Sequence, residues 1–91
     1  MDLDKKISIV TGAGQGIGEG IAKTLAKYGS KVLLVDQNGK SVKQVTDQIN
    51  SEFINAALSY EADLSISDEI DKMLRYAIDQ YGHIDCICNN A

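Results

Sequence analysis

The sequence is poor in several residue types that mark other classes of protein. It contains no proline, no tryptophan and only two cysteines. Its longest strictly apolar run covers residues 32–35, whereas a membrane-spanning helix needs about 20 apolar residues. The apolar stretch before the first glycines is too short for the core of a signal peptide. We therefore expect a cytoplasmic protein with reduced thiols, no disulfide framework and no membrane span.

Positively charged residues are also fewer than negatively charged ones. Nine Lys and Arg residues stand against thirteen Asp and Glu residues, so the net charge is −4 at pH 7. A protein that binds nucleic acid normally carries a basic patch, and this composition argues against that class. With 91 residues, of which 44% are hydrophobic and 24% charged, the chain has the composition of a small globular domain, and one at most.

Short apolar runs alternate with segments whose apolar residues recur at helical spacing. Strands are predicted at residues 6–10, 32–35, 56–60 and 84–88. Gly29 and Gly82 follow the first and third helical segments, as left-handed C-terminal residues do, and Ser67 is predicted to cap the third helix. The order βαβαβαβ predicts an α/β fold with a parallel sheet and right-handed crossovers.

The turn between the first strand and the first helix reads TGAGQGIG over residues 11–18. Its alternating glycines permit positive φ angles and let the backbone approach a ligand closely. The helix that follows directs unpaired amides at the same place, which suits a pyrophosphate group. A flexible loop without a ligand is the alternative, but the regular glycine spacing disfavours it. The turn lacks both the literal GxGxxG pattern and the Gly-Lys-Ser/Thr of a P-loop.

Asp36 closes the second strand, eighteen residues after Gly18. An acid at about that separation accepts hydrogen bonds from the hydroxyls of an adenosine ribose, and its charge repels a 2′-phosphate. Gln37 and Asn38 follow, so no cation comes directly after the acid, and Lys40 is the one nearby positive charge. The pattern favours NAD over NADP, and a solvated aspartate at a strand end is the alternative.

Two further polar pairs follow later strands. Asp63 precedes Leu64 after the third strand; its carboxylate would accept from an adenine amino group, or would open a turn and cap the next helix toward Ser67. Asn89 and Asn90 follow the fourth strand, where their amides would bond across the sheet, line a ligand groove or form a turn. The residues alone leave these alternatives open.

The sequence offers few groups for acid–base or metal chemistry. None of its tyrosines has a lysine four residues later, so no Tyr-x-x-x-Lys pair is present. Cys86, Cys88 and the single histidine, His83, are fewer than the four ligands of a structural zinc site. We expect the two cysteines to be small buried apolar residues on one side of a strand. No catalytic or metal-binding residue is assigned.

Four features occur in order along the chain: the TGxxxGIG turn at 11–18, Asp36, the Asp63-Leu64 pair and the final Asn-Asn-Ala. Together they resemble the N-terminal part of a short-chain dehydrogenase/reductase. The resemblance implies a partial Rossmann-type doubly wound parallel sheet, with strand order 3-2-1-4, that binds a nicotinamide dinucleotide. The residues that it places at the cofactor are Gly12, Gln15, Gly16, Ile17, Gly18, Asp36, Asp63, Leu64, Asn89 and Ala91.

By the same resemblance, the glycine turn would hold the pyrophosphate, Asp36 the adenosine ribose, and Asp63 with Leu64 the adenine. Residues 1–91 would be the N-terminal part of a single dinucleotide-binding domain, because the catalytic Ser, Tyr and Lys of the family come later. The full-length protein would transfer hydride between NAD(H) and a small alcohol or carbonyl substrate and would form a homo-oligomer. The 91-residue chain alone would be inactive.

Two other interpretations use the same residues. A catalytically inactive nucleotide-binding remnant would keep the cofactor residues and lack the catalytic part. A Rossmann fragment that binds S-adenosylmethionine would also have a glycine-rich loop and an acid after its second strand. The TGxxxGxG form of the turn and the Asn-Asn-Ala ending weigh against this last interpretation.

Overall fold

The computed structural model describes residues 3–90 and alternates strands with helices throughout. Its elements are β1 (Ile7–Thr11), α1 (Gly16–Lys27), β2 (Lys31–Asp36), α2 (Gly39–Glu52), β3 (Ala57–Glu61), α3 (Ser67–Tyr81) and β4 (Cys86–Cys88). The strands form one parallel sheet in the order β3-β2-β1-β4. The predicted α/β class and strand order are therefore confirmed.

The chain reverses its direction of travel across the sheet at β1. It moves outward from β1 to β2 and β3, and then returns through α3 to pair β4 with the other side of β1. In open α/β sheets, such a switch point leaves a crevice at the carboxyl ends of the strands, and ligands bind there. The topology therefore places a crevice beside the glycine-rich turn that follows β1.

Side chains of the two central strands, β1 and β2, contribute to two separate hydrophobic cores, one on each face of the sheet. On one face, Val10 and Leu34 pack with residues of α1 and α2, including Ile49. On the other face, Ile9 and Leu33 pack with residues of α3. Every residue of β1 and the four central residues of β2 are buried, which explains why these stretches are apolar or uncharged and do not alternate.

The start of α3 differs from the prediction. Ser67 is the first residue of the helix, and Ile66, which has no side-chain oxygen, occupies the cap position. The chain is turned instead by Asp63, whose Oδ1 accepts from the amide and hydroxyl of Ser65, while Glu69 Oε1 accepts from the Asp63 amide. Two carboxylates that accept from donors before the helix thus hold this turn, and the expected serine cap is absent.

The cysteines also differ from the prediction that they are buried. Cys86 is exposed and Cys88 is half-buried, because β4 has no strand on its outer side within residues 3–90. Their Sγ atoms lie 3.8 Å apart, as expected for positions on one side of a strand. Burial and the neighbouring Cys86 raise the pKa of the Cys88 thiol. Among residues 3–90, none of the helices is long and apolar enough to cross a membrane.

Candidate functional site

A cleft of about 850 Å³ opens at the carboxyl ends of the strands. Thr11 ends β1, Asp36 ends β2 and Asn89 follows β4, and all three line the cleft. Its far wall comes from the first two turns of α3, where Ile70 and Met73 lie. The cleft therefore occupies the crevice that the strand order creates.

Most of the residues predicted to bind a cofactor meet at this cleft. Those that line it are Gly12, Gln15, Gly16, Ile17, Asp36, Asp63, Leu64 and Asn89. Gly18 does not line it but is buried beneath the turn, where a Cβ would meet the Gly12 carbonyl oxygen and lie 2.9 Å from Asn90 Nδ2. Ala91 lies outside the described residues.

The turn after β1 depends on glycine at particular positions. Gly12 and Gly16 have φ angles of 62° and 61°, in the left-handed region that side chains rarely adopt. Gly18 lies on α1 so close to the Gly12 backbone that no side chain fits between them. Helix α1 is thus seated directly against the turn, and its first residues open onto the cleft.

The N-terminal end of α1 can receive an anion. Gln15 occupies the cap position in an extended conformation and its side chain makes no capping hydrogen bond. The amides of the first turn have no partner within the helix, and the helix dipole is positive at this end. Gly16 and Ile17, from that first turn, line the cleft. The arrangement fits a diphosphate, which needs backbone donors and no bulky side chain.

Asp36 is held at the rim of the cleft by two backbone amides. Its Oδ2 accepts from the Gly14 amide at 2.9 Å and its Oδ1 accepts from the Asn38 amide at 3.0 Å. The carboxylate therefore connects the end of β2 to the glycine-rich turn and is not merely a solvated strand end. Each carboxylate oxygen has two lone pairs, so both oxygens can still accept a bond from a ligand hydroxyl.

Asp63 lines the cleft on the side of β3. Hydrogen bonds from the side chain and backbone of Ser65 lower the pKa of its carboxyl group. Of the two roles left open by the sequence, the structure shows that the carboxylate holds a turn, and the predicted contact with an adenine stays a prediction. The carboxylate does not extend to Ser67; its partner is Ser65.

A small hydrogen-bond network joins the ends of β1 and β4. The Thr11 hydroxyl donates to Asn89 Oδ1 at 3.0 Å and accepts from the Asn90 amide at 2.9 Å. Thr11 is almost fully buried, with 3% of its surface exposed. The asparagines therefore bond across the sheet, and Asn89 also lines the cleft.

Sequence reasoning missed the apolar wall of the cleft. Its members come from strand ends and from α3: Val35, Ala62, Ile70, Met73, Leu74 and Ile87. The helical spacing of the apolar residues in α3 was the available signal, but it does not separate those that pack on the sheet from those that line a cleft. Such a wall suits a flat, apolar ring system.

The cleft contains no tyrosine, lysine or histidine among the described residues that line it. Tyr81, on the last turn of α3, is more than half buried, and its burial together with Tyr76 raises its pKa to about 12. This shift is opposite to the one that a proton-exchanging tyrosine needs near neutral pH. Within residues 3–90, no three His, Cys, Asp or Glu side chains are grouped as metal ligands.

Comparison with protein families gives one match that covers nearly the whole chain. A family model described as short chain dehydrogenase matches residues 6–91. An uncharacterised oxidoreductase of Staphylococcus epidermidis is 39% identical over 89 residues, which are 98% of this chain and 37% of that protein. Versicolorin reductase of Emericella nidulans is 37% identical over 90 residues, which are 98% of this chain and 34% of that protein. The chain thus spans about a third of the length of these relatives.

Two solved structures with similar folds are a reductase and a short-chain oxidoreductase. The 3-ketoacyl-(acyl-carrier-protein) reductase of Brucella melitensis, complexed with NADH, has a TM-score of 0.87 and 36% identity, over 94% of this chain and 34% of that one. A metagenomic short-chain oxidoreductase in complex with NADP has a TM-score of 0.91 and 32% identity, over 97% of this chain and 39% of that one. The two structures contain different nicotinamide dinucleotides.

Proposed function

Because this chain belongs to the short-chain dehydrogenase family, we propose that it is the NAD-binding part of an oxidoreductase. The full-length enzyme would transfer hydride between NAD(H) and a small alcohol or carbonyl substrate, and would act as a homo-oligomer. The observation that carries the proposal is the carboxylate of Asp36, bonded to the Gly14 amide at the rim of the cleft.

The residues of the chain would divide the cofactor between them. The amides at the start of α1 would hold the diphosphate, and Asp36 would accept hydrogen bonds from the adenosine ribose. The apolar wall from α3 would cover the adenine, with Asp63 and Leu64 beside it. Asn89, and Ala91 beyond the described residues, would line the groove toward the nicotinamide. When bound, NAD supplies the hydride-accepting ring of the reaction.

The choice of NAD over NADP follows from charge. A 2′-phosphate on the ribose would lie against the Asp36 carboxylate, and repulsion between like charges is large where water is partly excluded. Gln37 and Asn38, which follow Asp36, carry no compensating charge. The solved structures do not distinguish between the two cofactors, because one contains NADH and another contains NADP.

Titration calorimetry of the full chain with NAD, NADP and S-adenosylmethionine tests this proposal. We expect NAD to bind more tightly than NADP and S-adenosylmethionine not to bind. Asp36→Asn should weaken NAD binding about tenfold, the scale of one charged hydrogen bond, and should narrow the preference for NAD. Asp79→Asn, an exposed position on α3 outside the cleft, removes the same charge and should leave both affinities unchanged. Binding of S-adenosylmethionine in place of NAD would contradict the proposal.

We expect no dehydrogenase turnover from the 91 residues alone, because the chain contains no Tyr-x-x-x-Lys pair to exchange a proton with the substrate. The measurement is NADH formation from NAD with a panel of alcohols, read by absorbance. Steady NADH formation by a clean preparation would contradict this expectation. The catalytic residues would then have to be sought within these 91 positions.

A further inference from the structure

Glu61 lies beside Asp36 in the sheet. Asp36 ends β2, Glu61 ends β3, and the two residues are paired in the parallel register of these strands. Side chains at paired positions of neighbouring strands point to the same face of a sheet. The two carboxylates therefore leave the sheet on the same face, with Asp36 lining the cleft and Glu61 exposed beside it.

The side chain of Glu61 reaches the first residue of α2. A Cβ on Gly39 would overlap Glu61 Oε1 and would lie 2.8 Å from the carboxyl carbon of Glu61, so the carboxylate touches Gly39 only because that residue has no side chain. Gly39 follows Asn38, whose amide donates to Asp36 Oδ1. The two carboxylates thus contact neighbouring residues, Asp36 contacting Asn38 and Glu61 contacting Gly39.

Helix α2 has no acid of its own in its first turn. Its cap is Asn38, whose side chain accepts from the Ser41 amide at 3.0 Å. The positive end of a helix dipole attracts an anion, and here the carboxylate of Glu61 meets that end from the neighbouring strand. Lys40, the next residue of the helix, carries a charge of the opposite sign.

We infer that Glu61 is a second determinant of cofactor choice, which excludes a 2′-phosphate from the start of α2. The inference rests on the proposed function, in which Asp36 holds the adenosine ribose. A phosphate on the 2′-oxygen of that ribose would need an anion site next to Asp36, and the start of α2 is the adjacent positive end. Because Glu61, an exposed residue, places a negative charge at this end, NADP would meet two carboxylates, and that charge would offset the attraction of the helix end and of Lys40.

The test measures NAD and NADP binding to the full chain and to Glu61→Gln at low and at physiological salt. We expect Glu61→Gln to bind NADP about five- to tenfold more tightly at low salt, the scale of one unit charge beside a partly exposed anion, and less so at physiological salt. NAD binding should change less than about twofold, because NAD has no charge at the 2′ position. The same comparison in the Asp36→Asn background brings NADP binding into a range where the effect is easily measured.

Two variants separate charge from structure. Glu52→Gln removes an exposed carboxylate from the other end of α2 and should leave the ratio of NADP to NAD affinity unchanged. Glu61→Asp keeps the negative charge and should keep NADP binding weak. If Glu61→Gln weakens NAD and NADP equally, or leaves their ratio unchanged while NAD still binds, the inference is wrong and the proposed function stands. If the unaltered chain does not bind NAD, the proposed function fails and the inference fails with it.

Discussion

At the level of single residues, the site depends on pairs in which one member must be small. Gly14 lets the Asp36 carboxylate reach its amide, since a Cβ there would lie 2.9 Å from Asp36 Oδ2 and 3.0 Å from Ser41 Cβ. Gly39 does the same for Glu61. The sequence shows that each acid comes at the end of a strand. It does not show that Gly14 and Gly39 must lack side chains, because that requirement comes from the carboxylates that contact them in the folded chain.

Two glycines of α1 give a matched test of close packing. Gly18→Ala should destabilise the fold by about 1–3 kcal/mol, because the new methyl group would overlap the Gly12 carbonyl. Gly20→Ala, two residues later in the same helix, has nothing within 4 Å of the added carbon and should stabilise the fold by up to about 1 kcal/mol. Urea denaturation of both variants measures the two effects. Equal effects would show that α1 does not pack on the turn as described.

At the level of elements, β4 is short and is held at both ends by side chains. At its start, Asp85 Oδ2 accepts from the Ile7 amide at 2.8 Å, and His83 Nε2 lies 2.9 Å from the same oxygen. At its end, the Thr11 hydroxyl joins Asn89 and the Asn90 amide. These bonds compensate for a strand of only three residues, and they position the asparagines at the cleft.

The bond at the start of β4 predicts a dependence of stability on pH. The Ile7 amide is the main cause that lowers the pKa of Asp85 below its ordinary value of 3.8. A lowered folded pKa means that the ionised form stabilises the fold, so this contribution is complete above the unfolded pKa and is lost as pH falls through the folded one.

We therefore expect chemical denaturation between pH 5 and 2, a window set by the ordinary aspartate pKa of about 4, to give a shallower loss of stability for Asp85→Asn than for the unaltered chain. Asp79→Asn, at an exposed position of α3, is the control for the loss of one carboxylate. If the free energy of unfolding of Asp85→Asn falls as steeply between pH 5 and 2 as that of the unaltered chain, the role of the Asp85–Ile7 hydrogen bond is refuted.

The packing of α2 on the sheet gives a second prediction at this level. Ile49 is 2% exposed in the core between α2 and the sheet, whereas Ile54, in the loop after the helix, is 83% exposed. Ile49→Ala should cost about 2–5 kcal/mol, and Ile54→Ala should change stability by less than about 0.5 kcal/mol. Thermal and urea denaturation compare the two. A similar cost at both positions would contradict the described core.

At the level of the whole molecule, the sheet has two covered faces, and β4 is one of its two edge strands. Within residues 3–90, β4 pairs only with β1, and Ile87 at its centre is 52% exposed. An unpaired apolar edge invites association with other chains. A small domain also buries a smaller fraction of its surface than a large one, so we expect modest stability for the 91 residues.

Sedimentation velocity tests the open edge. We expect the full chain to associate as its concentration rises, and Ile87→Lys to reduce that association, because a charge on an edge strand opposes pairing. Ile54→Lys changes an even more exposed isoleucine away from the edge and should have no such effect. If both variants reduce association equally, the effect comes from general solubility and not from the edge strand.

Thermal denaturation tests the expected modest stability. A sharp melting transition of a monomer well above about 65 °C would contradict it, since mesophile domains cluster at or below that temperature.

Much of the fold follows from local patterns along the chain. The alternation of strands and helices, the parallel sheet and the place of the glycine turn depend on periodicity and turn residues, which act over a few positions. The sheet order 3-2-1-4 came from the family resemblance and is confirmed. Most of the predicted cofactor residues also meet at one cleft, although their binding roles stay predictions until a ligand is measured.

Two other features differ from the predictions. Ser67 is predicted to cap α3, but in the structure Asp63 accepts from the Ser65 amide and Glu69 accepts from the Asp63 amide, and Ser67 is the first residue of the helix. Cys86 was expected to be buried, but its strand forms an edge of the described sheet. The side-chain conformations decide which carboxylate holds the turn before α3, and the order of the strands decides that Cys86 is exposed.

Local sequence thus determined the order of the strands and helices and placed each strand to within two residues, although three strands end one residue later than predicted. Because the carboxyl ends of parallel strands meet at one edge, this was enough to predict which polar residues lie near the cleft. The register of β2 with β3 brought Glu61 next to Asp36, and the turn brought Gly14 within hydrogen-bonding distance of that aspartate. These pairings join positions 22 or more residues apart. They exist only once the packed sheet and helices bring the segments together.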